Sequence, residues 1–338
     1  MFYLSIGAVI LLSVMFWRPL FTAIGKQLVQ RSLDRVVSGV RFVSHQAQLN
    51  NEQLYWYLER QSDGPADGPP LVVLPGATVS MVVMGAQLRK LCTALPRRRI
   101  IIIELPYHGQ NVATNMDFTG QASSLASMAD FFEALTEAAG LSEPFDLLGY
   151  SLGGGIAAHF AAASPKRLRR LLLLAPYFHE TLTNDFSAKL SASDWRNIHG
   201  WESYSEMKYF FHRWLGLSHK DFPPQIVLRG IYALRKALYP EGYWTAFFNK
   251  VNERSSEHKT FLTKHSAALA QMELPTLLIT ATEDAVCDAQ KLRSLESILG
   301  AEHCRVHEES CGHFFGPKGK TLLNVSVPEM LSFLIEKK

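Results

Sequence analysis

Strand-like apolar runs alternate with helical stretches along most of this 338-residue chain, and this alternation restricts the fold more than any other feature. The runs at residues 40–46 and 54–60 predict an opening pair of antiparallel strands. Further runs predict the remaining strands: 71–76, 99–105, 144–150, 170–176, 276–282 and 304–309. Between them, apolar residues recur every three or four positions, as a helix with one buried face requires. The pattern predicts an α/β fold with a mainly parallel central sheet flanked by helices.

One interval interrupts the alternation, and it contains four of the six tryptophans. No convincing strand pattern occurs in residues 178–271, so we predict that this interval is an inserted, mainly helical cap. The α/β core would then consist of residues 39–177 and 272–338. A cap over the C-terminal edge of a parallel sheet would cover the place where ligands usually bind in such folds.

Several side chains are candidates for lining a pocket beneath this cap. The segment 206–216 predicts a helix that directs Phe210 and Trp214 toward the pocket or toward a membrane. The same aromatic residues could equally form the interior of the cap, since apolar stripes on helices usually face a core. Outside the cap, His108 and Tyr150 are further candidates for contacting substrate, although each could instead have only a structural role.

Composition and charge exclude some classes of protein. With 47% hydrophobic and 19% charged residues, the chain can bury a large core and is not of the disordered class. A formal net charge of +3 gives no reason to expect a nucleic-acid partner. The four cysteines are scattered without a CxxC pair, so neither a disulfide framework nor a zinc knuckle is indicated. A reducing compartment fits best.

The N-terminal segment is strongly apolar. Residues 1–17 contain no charged side chain, and the apolar stretch continues, interrupted by Arg18-Pro19, to residue 25. That length is close to the roughly 20 residues that cross a bilayer, so we predict a single-pass membrane anchor over residues 1–25. A signal peptide fits less well because a basic n-region and an A-x-A-like cleavage site are missing. A segment that dips into one leaflet is the other alternative. Four basic residues follow the anchor and predict that the rest of the chain is cytoplasmic: Lys26, Arg31, Arg35 and Arg41.

The sequence "GYSLG" places Ser151 between Gly149 and Gly153, where a strand-like run meets a helical stretch. In this context a Gly-x-Ser-x-Gly motif forms a sharp turn with a strained backbone, and the serine hydroxyl is exposed above the sheet. Glycines flank the serine because side chains would collide in so tight a turn. We predict that Ser151 is a nucleophile, the alternative being a hydroxyl in a glycine-rich bend.

A serine nucleophile needs a base and an acid later in the chain, and both follow predicted strands. His313 follows the strand at 304–309 and is the candidate base. Asp284 follows the strand at 276–282 and is the candidate acid. Glu283 and Asp288 are rival acids, although a solvated loop charge and a helix N-cap explain them more simply.

The oxyanion formed during acyl transfer needs two backbone N–H donors. One comes from the residue after the nucleophile and the other from the loop after the third strand. We therefore predict an oxyanion hole formed by Leu152 and Ala77. The preceding Gly76 would let the backbone approach the substrate closely.

A local group of cysteines and histidines near the C-terminus also has metal-ligand chemistry: His303, Cys304, His307, Cys311 and His313. A strand through residues 303–307 directs Cys304 to the face opposite the two histidines. Joint coordination of zinc is therefore not expected, and we predict no metal and no cofactor.

Taken together, the motifs resemble the α/β-hydrolase superfamily from about Val40 to Leu334. The resemblance depends on "LPGA", "ELPYHG", "GYSLGG", "TATEDAVCD" and "SCGHF" in the family's order and approximate spacing. It implies a catalytic triad of Ser151, Asp284 and His313. A serine at position 151 argues against epoxide hydrolases and haloalkane dehalogenases, which carry aspartate there.

Within the superfamily the chain is most similar to the membrane-anchored monoacylglycerol lipases, through its N-terminal segment, cap segments such as "SEMKYFF" and the ending "ESCGHF". This resemblance implies hydrolysis of lipid esters, foremost monoacylglycerol, to fatty acid and an alcohol. Lysophospholipids are a second lipid class. Pro75, Glu104 and Tyr107 depart from the family's usual residues in loops that shape the site. A carboxylesterase, thioesterase or carbon–carbon bond hydrolase of the same fold is an alternative, and a non-catalytic membrane-bound binding protein is another.

Overall fold

The structure is a computed structural model, and it describes residues 39–49, 54–60, 64–66, 68–112, 124–253 and 258–336 with a few single positions elsewhere. In this part of the chain the strands form one eight-stranded sheet in the order β1-β2-β4-β3-β5-β6-β7-β8. Their bounds are β1 Phe42–Gln48, β2 Leu54–Arg60, β3 Leu71–Leu74, β4 Ile100–Ile103, β5 Phe145–Tyr150, β6 Leu168–Leu174, β7 Thr276–Ala281 and β8 Cys304–Glu309.

The sheet has the predicted direction of its strands. β1 and β2 pair antiparallel, and β2 also runs antiparallel to β4, whereas all later pairs are parallel. Every residue of β3, β4, β5 and β7 is buried. Parallel strands covered on both faces carry such continuous apolar runs, which explains the sequence of four consecutive isoleucines in β4. The predicted mainly parallel α/β sheet is confirmed.

Helices cover both faces of this sheet. Among the described residues, the helices that flank the sheet before the interval 178–271 are α1 Met81–Gln87, α2 Arg89–Ala94, α3 Leu125–Ala138 and α4 Leu152–Ala163. Those after it are α10 Ala289–Leu292, α11 Ser294–Leu299, α12 Leu322–Val325 and α13 Val327–Ile335. α3, α4 and α11 bury their apolar residues in one cluster, and α1, α2, α12 and α13 bury theirs in a second cluster. The sheet therefore lies between two hydrophobic cores.

In the part of the interval between β6 and β7 that the structure describes there are five α-helices: α5 Asn184–Ser191, α6 Tyr204–Arg213, α7 Gln225–Leu238, α8 Tyr243–Glu253 and α9 Phe261–Ala270. Aromatic side chains of these helices and of the loops between them pack on each other, as in the stacked pair of Trp195 and Phe248 with ring centroids 5.4 Å apart. Hydrogen bonds connect these helices to the loop after β4, where the Tyr243 hydroxyl donates to the carbonyl of Tyr107 across 2.9 Å. The division of the chain into residues 39–177, 178–271 and 272–338 remains a prediction.

The structure contradicts the predicted membrane location. Among the described residues, none of the helices combines the length and the apolar character that a bilayer crossing requires. The longest have 14 residues, which at 1.5 Å per residue span about 21 Å, short of a hydrocarbon core of about 30 Å. The proposed anchor at residues 1–25 lies, apart from Ile24, outside the described residues. The predicted location, a single-pass anchor with a cytoplasmic domain, is therefore wrong.

Candidate active site

Ser151 occupies the turn between β5 and α4, and its backbone is strained. Its φ of 50° and ψ of −115° lie in a region that non-glycine residues rarely adopt. The helix and the strands approach so closely here that a Cβ on Gly153 would lie 2.3 Å from the Leu74 carbonyl oxygen. A Cβ on Gly149 would lie 2.4 Å from the Gly153 oxygen. The two glycines of the motif therefore permit the close packing that holds Ser151 in its strained conformation.

A chain of hydrogen bonds connects Ser151 to the predicted base and acid. His313 Nε2 lies 2.9 Å from Ser151 Oγ, and His313 Nδ1 lies 2.7 Å from Asp284 Oδ2. The three residues come from neighbouring parts of the sheet, because β5, β6, β7 and β8 are consecutive in it. All three are at least nine-tenths buried, with 4–9% of their surface exposed. The structure thus brings together the three side chains that the sequence selected.

Backbone donors hold the carboxylate of Asp284. Its Oδ1 accepts hydrogen bonds from the N–H groups of Val286 at 2.7 Å and Cys287 at 2.8 Å, which leaves Oδ2 for the imidazole. The rival acids have other surroundings. Asp288 caps α10 by accepting from the N–H groups of its first turn, as predicted, and Glu283 is exposed. Geometry therefore favours Asp284 as the partner of His313.

The predicted oxyanion donors lie at the same place. Ala77 and Leu152 line one cavity together with Ser151. Within the described residues, neither backbone N–H donates a hydrogen bond to the protein, so both are free to receive an acceptor from a ligand. Gly76 brings the loop of Ala77 close to the serine, since a Cβ there would lie 3.3 Å from Ser151 Cβ. The arrangement can stabilise negative charge that develops beside Ser151.

The cavity at Ser151 extends beneath α5 and α8 and has a volume of about 60 Å³. Its wall is largely apolar and aromatic: Ala77, Leu125, Ser151, Leu152, Tyr177, His179, Phe186, Leu190, Trp195, His199, Phe248, Val251 and Val286. Apolar pockets with a few polar groups are typical binding sites for small molecules. The side chains above Ser151 come from the interval that the sequence assigned to a cap.

None of the four residues predicted to contact substrate is among those that line this cavity. Phe210 and Trp214 are 3% and 1% exposed and pack inside the helical segment, where Trp214 Nε1 donates to the Asn197 carbonyl across 2.6 Å. His108 is fully buried and packs against Trp244 with ring centroids 4.9 Å apart. Tyr150 donates its hydroxyl hydrogen to the backbone oxygen of His313. The structure thus gives these residues packing and orienting contacts.

Several residues that line the cavity were not predicted from the sequence as pocket residues, among them Phe186, Trp195, His199 and Phe248. The sequence signal that could have indicated Trp195 as a pocket residue is its position in the tryptophan-rich interval 178–271. No local sequence pattern distinguishes the aromatic residues that face the cavity from those that face the interior of the helical segment, because the packing of one helix on another decides this.

The departure from the family pattern at Glu104 has a structural explanation. Its carboxyl group is fully buried and accepts hydrogen bonds from the N–H groups of Met81 at 3.0 Å and Gln110 at 3.3 Å. Burial raises the pKa of Glu104 to about 8, although these two donors oppose the rise. Gly109 makes room for the longer side chain, because a Cβ there would lie only 1.8 Å from Glu104 Oε2. Glu104 therefore stabilises the loops on either side of it.

One group of potential metal ligands occurs close together among the described residues, formed by Asp284, Cys287 and His313. Burial, with the neighbouring charge of Asp284, raises the pKa of the Cys287 thiol well above its usual range, so the thiol is protonated. Asp284 and His313 are already hydrogen-bonded to each other. These donors fit a serine-activating pair better than a metal centre, since thiol ligands bind metals as thiolates.

Comparisons with known proteins support the fold. A family model for the alpha/beta hydrolase fold matches residues 69–319. The chain is 24% identical over 223 residues to the pyrrolizixenacetamide deacetylase of Xenorhabdus hominickii, which covers 66% of this chain and 78% of that protein.

Solved structures show the same architecture. A membrane phospholipase A described as a bacterial virulence factor superposes with a TM-score of 0.71 at 19% identity, over 99% of this chain and 98% of that one. The carboxylesterase CesB from Bacillus subtilis gives a TM-score of 0.62 at 17% identity, over 93% and 99% of the two chains. From its sheet, its serine turn and the match to the family model, the chain belongs to the alpha/beta hydrolase fold family.

Proposed function

We propose that this protein is a serine hydrolase that cleaves lipid esters, foremost monoacylglycerols, to fatty acid and glycerol through an acyl-enzyme on Ser151. The observation that supports the chemistry best is the hydrogen-bond chain from Ser151 Oγ through the imidazole of His313 to Asp284 Oδ2, with distances of 2.9 and 2.7 Å. A serine hydroxyl becomes a nucleophile at neutral pH when such a base removes its proton.

In the proposed mechanism Ser151 Oγ attacks the ester carbonyl while His313 Nε2 accepts the hydroxyl proton. Asp284 holds the Nδ1–H tautomer and stabilises the imidazolium that forms. The N–H groups of Ala77 and Leu152 stabilise the oxyanion of the tetrahedral intermediate. The alcohol leaves with the proton from His313, and a water molecule activated by the same imidazole then hydrolyses the acyl-enzyme.

The apolar cavity supports a hydrophobic ester as substrate. Aromatic and aliphatic side chains from α5 and α8 surround the space above Ser151, and they favour an acyl chain over a polar group. A volume of about 60 Å³ has room for only a few water-sized groups. A long acyl chain would therefore require α5 and α8 to move apart. We propose that residues 178–271 act as a cap which opens for such substrates.

The similarity to a membrane phospholipase A and to a carboxylesterase supports the choice of esters. Both proteins are less than 25% identical to this chain, so the apolar cavity is the stronger support for the proposed substrate class. A thioesterase or a carbon–carbon bond hydrolase could use the same triad. A panel of substrates distinguishes these activities once an activated serine has been demonstrated.

Covalent labelling with a fluorophosphonate probe tests the proposal most directly. We expect the purified protein to be labelled and the Ser151→Ala variant to remain unlabelled, with the two proteins giving the same circular dichroism spectrum. A panel of monoacylglycerols, simple esters and thioesters then ranks the substrates. An unlabelled but folded native protein would argue for the non-catalytic binding protein instead.

A further inference from the structure

His199 lies in the wall of the cavity that contains Ser151, and aromatic contacts fix its ring. The imidazole stacks on Phe248 with ring centroids 4.9 Å apart and an interplanar angle of 25°. Phe210 contacts it from another side at 5.1 Å. Its backbone oxygen accepts a hydrogen bond from the guanidinium of Arg235, which anchors the main chain of this loop. The ring is therefore held in one orientation before any ligand binds.

Nδ1 of His199 is buried and has no hydrogen-bond partner among the described residues. In a neutral imidazole this nitrogen carries either a hydrogen or a lone pair, depending on the tautomer, so one donor or one acceptor remains unsatisfied. Unsatisfied buried polar groups are rare in folded proteins because they lose hydrogen bonds to water without replacement. Such a group in the wall of a candidate active site is best explained by a hydrogen bond to a ligand.

The charge of the cavity limits what that ligand can be. Burial lowers the pKa of His199 to about 3, and the nearby Arg235 adds to this effect, so the imidazole is neutral at pH 7. Burial also lowers the pKa of His179, the other histidine in the wall. Of the residues that line the cavity, none is Asp, Glu, Lys or Arg. A phosphate or ammonium group bound there would lose its hydration, and no charged side chain in the cavity wall could pair with it.

We infer that His199 is a specificity-determining residue that hydrogen-bonds a hydroxyl group of an uncharged ester, so the site accepts monoacylglycerol-type esters in preference to lysophospholipids. A hydroxyl group can donate to the lone pair of Nδ1 or accept from its N–H, so it satisfies this nitrogen in either tautomer. This inference rests on the proposed function, because it takes the scissile ester to be at Ser151.

Two matched butyrate esters test the selectivity. Glycerol monobutyrate and n-propyl butyrate share the acyl chain and the three-carbon alcohol, and they differ in two hydroxyl groups. We expect native protein to prefer the glycerol ester in kcat/KM and His199→Phe to lower this preference about tenfold, since a site that hydrogen-bonds a hydroxyl discriminates strongly against its absence. His199→Gln, which retains a donor and an acceptor, should recover part of the preference.

The control separates recognition from packing. Phe210→Leu disturbs the ring that contacts His199 but removes no polar group, so both esters should be affected in the same proportion. If His199→Phe also lowers kcat/KM for the two esters by the same factor, the residue has only a packing role and the inference fails. It fails as well if the native protein cleaves 1-butyrylglycerol 3-phosphate as efficiently as glycerol monobutyrate.

A binding measurement is independent of catalysis. The ether 1-O-butylglycerol has the same hydroxyl groups but no bond that a hydrolase can cleave, and calorimetry gives its Kd. We expect His199→Phe to raise that Kd about tenfold. An unchanged Kd, together with Ser151-dependent hydrolysis, would overturn the inference and leave the proposed function intact. A His199-dependent Kd without any hydrolysis would support recognition and count against the proposed function.

Discussion

The hydroxyl group of Tyr150 donates a hydrogen bond to the backbone carbonyl oxygen of His313 at 2.9 Å. The two rings also lie against each other, with centroids 5.7 Å apart. Tyr150 is the last residue of β5 and directly precedes Ser151, whereas His313 belongs to the loop after β8. The side chain next to the candidate nucleophile therefore positions the main chain that carries the candidate base.

Removal of this hydroxyl should lower turnover more than it lowers substrate binding. In Tyr150→Phe the ring remains, but the His313 loop loses one buried hydrogen bond, which stabilises a protein by about 1 kcal/mol. We expect kcat on a short ester to fall about three- to tenfold with little change in KM, because the imidazole is less well oriented. Tyr209→Phe, at an exposed tyrosine of the helical segment, serves as the control. An unchanged kcat would show that the hydrogen bond does not orient His313.

Replacement of Asp284 should be far more harmful than replacement of its acidic neighbour. An asparagine side chain at this position would lack the charge that stabilises the imidazolium and would permit the wrong tautomer. We expect Asp284→Asn to lower kcat about 10²- to 10⁴-fold. Glu283→Gln should remain within about twofold of the native protein, since its side chain is exposed. Steady-state kinetics on both variants decides between the two acids, and equal losses would contradict the assignment.

Two glycine-to-alanine changes should have opposite effects on stability. In Gly153→Ala the new Cβ would lie 2.3 Å from the Leu74 oxygen, so α4 must shift and we expect a loss of about 1–3 kcal/mol. In Gly85→Ala the new Cβ meets Ile102 at 3.5 Å, an ordinary contact, and the better helix former should add up to about 1 kcal/mol. Urea unfolding measures both. A tolerated Gly153→Ala would contradict the close packing of α4 against β3.

Stability should fall as the pH rises through the titration range of Glu104. Burial raises the pKa of this carboxyl from 4.5 to about 8, so in that range the folded protein retains a proton that the unfolded chain has released. Folding takes up this proton, and the free energy of unfolding therefore decreases as the pH rises from about 4.5 to 8. The contribution of one such group is up to about 4 kcal/mol over this range.

The variant Glu104→Gln removes this titration. Chemical unfolding at several pH values between 5 and 9 gives the free energy of unfolding of both proteins. This free energy should decrease less with rising pH in the variant than in the native protein, whatever the difference in stability between them at pH 5. Parallel curves for the two proteins would mean that Glu104 does not carry a proton in the folded state near neutral pH.

The proximity of the three predicted triad side chains follows from positions that the fold defines. Ser151, Asp284 and His313 each follow a strand, and the carboxyl ends of parallel strands meet at one edge of a sheet. The apolar runs of β5 and β7 predict these two strands well because every residue of both is buried. A motif in the right place of this pattern is therefore sufficient to bring distant residues together.

The sequence does not predict the contacts within the helical segment. Phe210 and Phe186 are both aromatic residues on amphipathic helices, yet only Phe186 lines the cavity. The direction of each side chain depends on how five helices pack on each other, and hydrophobic periodicity does not determine this. The N-terminal segment is a second case, because hydropathy alone suggested an anchor that no described helix supports.

The position of β8 in the sheet has a consequence for how the protein loses activity under heat or denaturant. Among the described strands it lies at an edge of the sheet and pairs only with β7, and His313 follows it in the chain. Edge elements open locally at a lower free-energy cost than complete unfolding. Detachment of this single strand would displace the imidazole while the rest of the sheet stays folded. Heat or denaturant should therefore inactivate the enzyme before circular dichroism reports any melting.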